Sequence, residues 1–288
     1  MTNQLKTILL LGVLSAVLIG LGGMLGPGFL WGAVGISAVL NIGGWLWSDR
    51  LVLRMHGAVE VTPQEAPALH RMVAELADRA GLPMPRVCVI PSDQPNAFAT
   101  GRTPRHGVVA VTEGLLRLLT PRELRGVLAH ELAHIQNRDT LIATLAAVMA
   151  SAIGWLGHMV GFATAPASPG EGEESPAGGG LLWALLAPLG ATFVQLGISR
   201  SREYLADARG AAIAGDPEGL ASALEKLDAL AHHVEPEAAP QPATASLFIV
   251  NPLAGAARLF QLFSTHPPIA ERVRRLRAMA DHDFLWAA

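Results

Sequence analysis

The chain has 288 residues, of which 51% are hydrophobic and only 16% charged, with a formal net charge of −3; an ordinary soluble domain carries about 25% charged residues. That deficit points to a membrane protein, and the mild acidity with no basic run gives no footing for nucleic acid. The single cysteine, Cys88, excludes an internal disulfide and a Cys-rich zinc site, and between Val87 and Val89 it reads as a small core residue.

Thr7 to Leu25 is apolar and uncharged, long enough to cross a bilayer of about 30 Å. A cleaved signal peptide is the rival reading, but the run exceeds an h-region, lacks a good A-x-A site and leads at once into a second apolar span, Phe29 to Trp47. Trp31, Trp45 and Trp47 near the ends of that span suit the membrane interface. With Gly26-Pro27-Gly28 as the turn, residues 1–49 are expected to form a transmembrane hairpin. Lys6 precedes it and Arg50 and Arg54 follow it, which places the N-terminus and the region after Asp49 in the cytoplasm.

Residues 50–140 look soluble. Gly57 to Val61 reads as a short strand, and Thr62-Pro63-Gln64-Glu65 as the start of a helix with Thr62 as N-cap and Pro63 at N1. Leu69, Met72, Val73, Leu76 and Ala80 form its apolar stripe and Gly81 stops it. Arg86 to Ile90, Asn96 to Thr100 and Gly107 to Thr112 are strand candidates, so a small sheet backed by a helix is expected. After one apolar helical turn, Leu115 to Leu119, a second start signal appears: Thr120 as cap, Pro121 at N1 and Glu123 at N3.

Residues 141–199 carry two further uncharged stretches, Leu141 to Thr164 and Gly180 to Ser199, around a Gly/Pro/Ser-rich loop with Glu171, Glu173 and Glu174 and no Lys or Arg. The basic flanks, Arg138 before and Arg200 and Arg202 after, again put the cytoplasm on the flank side; a pair of buried core helices is the alternative. His158, inside the third span, is either functional or a neutral packing residue. Residues 200–288 continue with an Ala-rich helix to about Ala214, an amphipathic helix from Glu218 to His233, a Pro/Ala linker from Glu235 to Ala245, and a final helix from Ile269 to about Ala280. His232 and His233, adjacent and so about 100° apart on a helix, are solvent-facing candidates. Arg272, Arg274, Arg275 and Arg277 are expected to form a basic surface, solvated or against anionic headgroups. The fold class expected is a mainly α membrane protein: four transmembrane helices and a cytoplasmic α+β domain with a small sheet.

The chemistry concentrates in Leu128-Ala129-His130-Glu131-Leu132-Ala133-His134. Residues four apart on a helix differ by about 40° and about 6 Å, so His130 and His134 share a face and can reach one zinc ion, with Glu131 placed as general base. A surface helix with two satisfied histidines is the bland alternative. A catalytic zinc usually takes three protein ligands. Thr140 stands where a metzincin would carry its third histidine, so a downstream carboxylate is the expected third ligand. Glu203 is the best candidate, with Asp207 one turn on able to orient a ligand histidine; both could instead be neutralised by Arg200, Arg202 or Arg209.

The two N-terminal spans, Asn96-Ala97-Phe98-Ala99, the HELAH motif, the second hydrophobic hairpin, Glu203-Tyr-Leu-Ala-Asp207 and Ser-Thr-His266-Pro-Pro occur in an order that resembles the HtpX family over essentially the whole chain. Those are bacterial membrane-integrated zinc metalloproteases of zincin-type fold, related to the CAAX prenyl proteases. The resemblance implies one Zn²⁺ per subunit held by His130, His134 and Glu203, Glu131 as general base and proton donor, and Asp207 orienting a ligand histidine. Asn96, Ala97, Phe98 and Ala99 would form the edge strand that pairs with an extended substrate, and His266 would stabilise the oxyanion unless it merely caps a helix. The implied role is quality control of misfolded or damaged membrane proteins, in the inner membrane, with the active site on the cytoplasmic side. A CAAX-type prenyl-peptide protease and a non-catalytic scaffold with a vestigial zinc site are the alternatives.

Overall fold

The computed structural model describes residues 3–149, 200–231, 247, 249 and 267–286. The third span beyond Met149, the expected fourth span, the acidic loop, His158, His232, His233, the 235–245 linker and His266 lie outside the described residues.

Two hydrophobic helices open the chain. α1 (Asn3–Leu25) and α2 (Pro27–Met55) pack on each other and reverse at Gly26, whose φ of 123° is open to glycine and strained for other residues. The turn is that one residue rather than Gly26-Pro27-Gly28, because the fixed φ of Pro27 suits the first helical position and draws Gly28 into α2. Asn41 Nδ2 donates to Ser15 Oγ at 2.7 Å, the sort of polar contact that joins helices in lipid. Among the described helices, α2 has the length and composition to cross a membrane, and Phe29, Trp31, Val39 and Ile42 on it are not covered by protein. α2 also runs past the expected end at Trp47 to Met55, which carries buried Val52 and Leu53 to the sheet.

The sheet has strand order β1-β2-β4-β3, built from β1 (Val59–Glu60), β2 (Arg86–Ile90), β3 (Ala97–Thr100) and β4 (Val108–Thr112). β2 and β4 are parallel; β1 and β3 are antiparallel to their neighbours and form the two edges. Side chains alternate between faces along a strand, and both faces are covered. Val87, Val109, Val111, Ala97 and Ala99 pack toward the helices α3 (Pro67–Arg79) and α5 (Pro121–Gln136), whereas Cys88, Ile90, Phe98, Val108 and Ala110 pack toward Val52, Leu53 and Ala147. That is why β4 is buried at every position and reads as a continuous apolar run rather than an alternating one. Burial also pushes the Cys88 thiol up to about 11, the behaviour of an inert core residue.

α3 begins four residues later than expected. Thr62 and Glu65 do form their reciprocal hydrogen bonds, but they close an isolated turn. The residue before a proline is steered out of the helical region, and Ala66, before Pro67, sits at φ −132° and ψ 62°. The helix therefore starts at Pro67, and it ends, as its sequence suggests, before Gly81 at φ 65°.

α4 (Glu113–Leu118) leads into α5, and α6 (Thr140–Met149) follows it with Ile142, Leu145, Ala146 and Ala147 buried. α7 (Arg200–Ala214) and α8 (Pro217–Ala231) pack on α5, and α9 (Ile269–Trp286) packs on α7 and α8. Glycines permit the close approaches. A Cβ on Gly126 would lie 2.6 Å from the backbone nitrogen of Leu220, so α5 and α8 meet there only because it is absent. Lys226 Nζ and Ser222 Oγ then donate to the buried Glu123 carboxylate at 2.7 and 2.6 Å, tying α8 to the start of α5.

Candidate metal centre

α5 begins with the capping box its sequence announces: Thr120 Oγ1 accepts from the Glu123 N–H while Glu123 accepts from the Thr120 N–H. From Glu123 to Ile135 it is enclosed on most sides, with His130 and Glu131 only 1% and 2% exposed. α7 crosses at this level. A Cβ on Gly210 would stand 2.9 Å from the Cα and N of His130, so the missing side chain sets how near α7 comes to the motif. Glycine inside a helix costs about 1 kcal/mol relative to alanine, and here it is matched by that close packing. Gly210→Ala must force the helices apart, and we expect metal affinity to fall by about tenfold with helix content kept, measured by chelator competition and circular dichroism.

On α7, Glu203 and Asp207 lie one turn apart and are buried. The crossing brings Glu203 to the two histidines: His130 Nε2 and His134 Nε2 are 3.2 Å apart, Glu203 Oε1 is 3.5 Å from His134 Nε2, and Glu203 Oε2 is 3.9 Å from His130 Nε2. A tetrahedral zinc with bonds of about 2.0–2.1 Å separates its ligand atoms by about 3.3 Å. The triangle thus has the dimensions a zinc ion needs, and its potential ligand atoms all fall within 4.8 Å of one another. Charge points the same way. Four carboxylates (Glu131, Asp139, Glu203, Asp207) surround the site, all buried, against the two guanidinium groups of Arg202 and Arg272. The formal excess of two negative charges is what a divalent cation neutralises.

Each histidine has its own carboxylate. His130 Nδ1 lies 3.0 Å from Asp207 Oδ1, close but not aligned as a linear hydrogen bond; His134 Nδ1 lies 3.3 Å from Asp139 Oδ2. Both contacts leave Nε2 facing the triangle. Burial depresses the His130 imidazole, with Asp207 opposing it. Burial also works against charge on His134, but Asp139, Glu203 and Glu131 outweigh it and raise that ring to about 9. The excess negative charge draws a proton to His134, the position a cation would share. The Glu131 carboxyl is raised to about 7 by burial, with Glu203 adding to the effect and His134, the Ala99 N–H and Arg272 opposing it.

Two of the other residues singled out from sequence lie in the same place. Ala97 and Ala99 face the site from the open edge of β3, as the register with β4 requires. That edge is engaged, however. The Ala97 N–H bonds the Asn96 side chain, the Ala97 C=O accepts from Ile249 N–H at 3.1 Å, and the Ala99 N–H bonds Glu131. Phe98 points the other way, fully buried on the α2 side of the sheet. Asn96 is buried and its C=O pairs with Thr112.

The reading of α9 as a basic surface is wrong for Arg272. That residue is fully buried: its Nε and Nη2 donate to the Asp207 carboxylate at 2.9 and 2.7 Å and its Nη1 to the Ile249 C=O at 3.3 Å. Burial opposes the Asp207 charge, yet Arg272 and His130 hold its carboxyl down at about 2. So Asp207 is neutralised by Arg272 and not by Arg200, Arg202 or Arg209. The signal was present in the sequence, since Arg272 sits three residues after Ile269 and four before buried Leu276, on the inward stripe. Arg274 and Arg275 pair with Glu271, and Arg277 with Glu218 and Glu225, so these three are indeed surface groups.

A HExxH helix joined by a carboxylate from a second helix, beside the edge of a small sheet, defines a metallopeptidase. The chain belongs to peptidase family M48, whose model matches residues 63–280. It is 49% identical to a "Protease HtpX homolog" of Syntrophobacter fumaroxidans, over 97% of this chain and 100% of that protein, and 51% identical to one of Pelotomaculum thermopropionicum, over 96% and 99%. A crystal structure of S. mikatae Ste24p is 21% identical with a TM-score of 0.47, covering 86% of this chain and 58% of that one.

Proposed function

We propose that this protein is a zinc-dependent endopeptidase of the inner membrane that cleaves misfolded or damaged membrane proteins, with residues 1–49 and 141–199 as transmembrane hairpins and the catalytic parts, 50–140 and 200–288, on the cytoplasmic side. The triangle formed by His130, His134 and Glu203 carries the reading. A bound zinc would supply a Lewis acid that polarises the scissile carbonyl and acidifies water. Glu131, buried next to the triangle with a carboxyl near neutrality, takes the proton from the attacking water and returns it to the leaving amine. His266, on the strength of the family resemblance, donates to the developing oxyanion. A substrate segment pairs in extended form with β3, and to do so it takes the Ala97 C=O from Ile249. The apolar α1–α2 hairpin, which reaches the sheet through Val52 and Leu53, keeps this edge close to the bilayer from which substrates come.

The test is metal stoichiometry. Glu203→Ala removes one corner of the triangle, and we expect the purified variant in detergent to hold far less than one zinc per chain and to cleave no casein. Full zinc occupancy in that variant would remove Glu203 from the ligand set.

A further inference from the structure

α5 does not end on a glycine. Arg138 takes the left-handed conformation, φ 57°, that glycine usually supplies at a helix C-terminus, at a cost of roughly 1–2 kcal/mol for a residue with a Cβ. The turn it makes is a Schellman motif: the Arg138 N–H donates to Ile135 C=O at 3.1 Å and the Asp139 N–H to His134 C=O at 3.0 Å. Its consequence is local and specific. The backbone doubles back far enough for the Asp139 carboxylate, five residues on from His134, to stand 3.3 Å from His134 Nδ1. Asp139 is 5% exposed, and Arg202 Nη1, delivered by α7 one residue before Glu203, lies 3.7 Å from its other oxygen. The arrangement repeats what surrounds His130, where Asp207 meets Nδ1 and Arg272 meets Asp207.

We propose that Asp139, backed by Arg202, is a positioning residue for the metal centre: it holds the Nδ1 proton of His134 and so presents Nε2, in a fixed ring orientation, to the ion. This rests on the metallopeptidase reading above. Carboxylates in this relation to a ligand histidine raise its basicity and fix its tautomer, and their loss usually lowers metal affinity by about 10–100-fold. Arg202 acts through Asp139 by holding the carboxylate in place, so the α5 turn and the first turn of α7 converge on one ligand.

The experiment uses the full chain in detergent. Zn²⁺ affinity is measured against a chromophoric chelator, and Co²⁺ replaces zinc to report ligand geometry through its visible bands. Asp139→Ala is expected to weaken zinc by about 10–100-fold and to shift the Co²⁺ spectrum. Asp139→Asn, which keeps an acceptor oxygen, should recover much of both, and it guards against an alanine variant that fails to fold. Arg202→Met should weaken zinc in the wild type and add nothing in the Asp139→Ala background, because coupled residues do not act additively. Wild-type zinc affinity and an unchanged Co²⁺ spectrum in Asp139→Ala, with only thermal stability lowered, would overturn the assignment and leave Asp139 a part of the helix connection. A wild-type chain that binds no zinc would overturn the metal centre itself, and the assignment with it.

Discussion

Glu131→Gln will leave the protein with its full complement of zinc and reduce peptide hydrolysis by about 10²–10⁴-fold. The glutamine amide has nearly the shape of the carboxylate and can still accept from the Ala99 N–H that Glu131 engages, so the helix and the ligand triangle need not move. What disappears is the capacity to accept a proton. Metal content and casein cleavage, measured on one preparation of each protein, decide the matter: undiminished cleavage with zinc bound would take the general-base role away from Glu131. Loss of the metal itself is the result expected for Glu203→Ala, and the pair of variants would separate a residue that moves protons from one that holds an ion.

Arg272→Met will have the largest effect on stability. Removing one partner of a buried ion pair strands the other charge and costs about 3–5 kcal/mol; here the stranded group is Asp207, 3% exposed and otherwise set against His130. At about 2–4 °C per kcal/mol for a protein of this size, the thermal midpoint should fall by roughly 10 °C, and zinc affinity should fall with it because Asp207 no longer holds its place beside His130. Adding Asp207→Leu should restore much of the stability, since an apolar pair of similar volume is often neutral, but should not restore zinc binding. A midpoint within one or two degrees of wild type in the single variant would show that the pair contributes little.

Much of this was legible from residue order. The HELAH spacing and the capping box of Thr120 and Glu123 depend on contacts within one helix, and they appear as read. The strands Arg86–Ile90 and Val108–Thr112 announce themselves through β-branched runs between turn residues. Glu203 was singled out by the need for a third ligand, and it does lie beside His130 and His134. Even so, one start signal misled: Thr62-Pro63 looks like a helix start, and the steric restriction on Ala66 before Pro67 moves the start to Pro67.

What sequence alone determined, then, is the local chemistry: two imidazoles on one helical face, a carboxylate beside them, apolar stretches of membrane length, and the caps and turns that set helix limits. Only the tertiary structure decided which charges share the interior. Arg272 is 65 residues from Asp207, and its place on the inward stripe of α9 sets it apart from exposed Arg274 and Arg275 without saying which carboxylate it meets. Gly210 matters because its missing Cβ lets α7 reach His130, and Ile249 because it lies on the edge of β3. Asp139 depends on a left-handed residue that is not glycine. The first three share one physical reason. A buried charge, a helix crossing or an edge pairing is selected by groups distant in the chain, and the energy that selects it exists only once those groups have met.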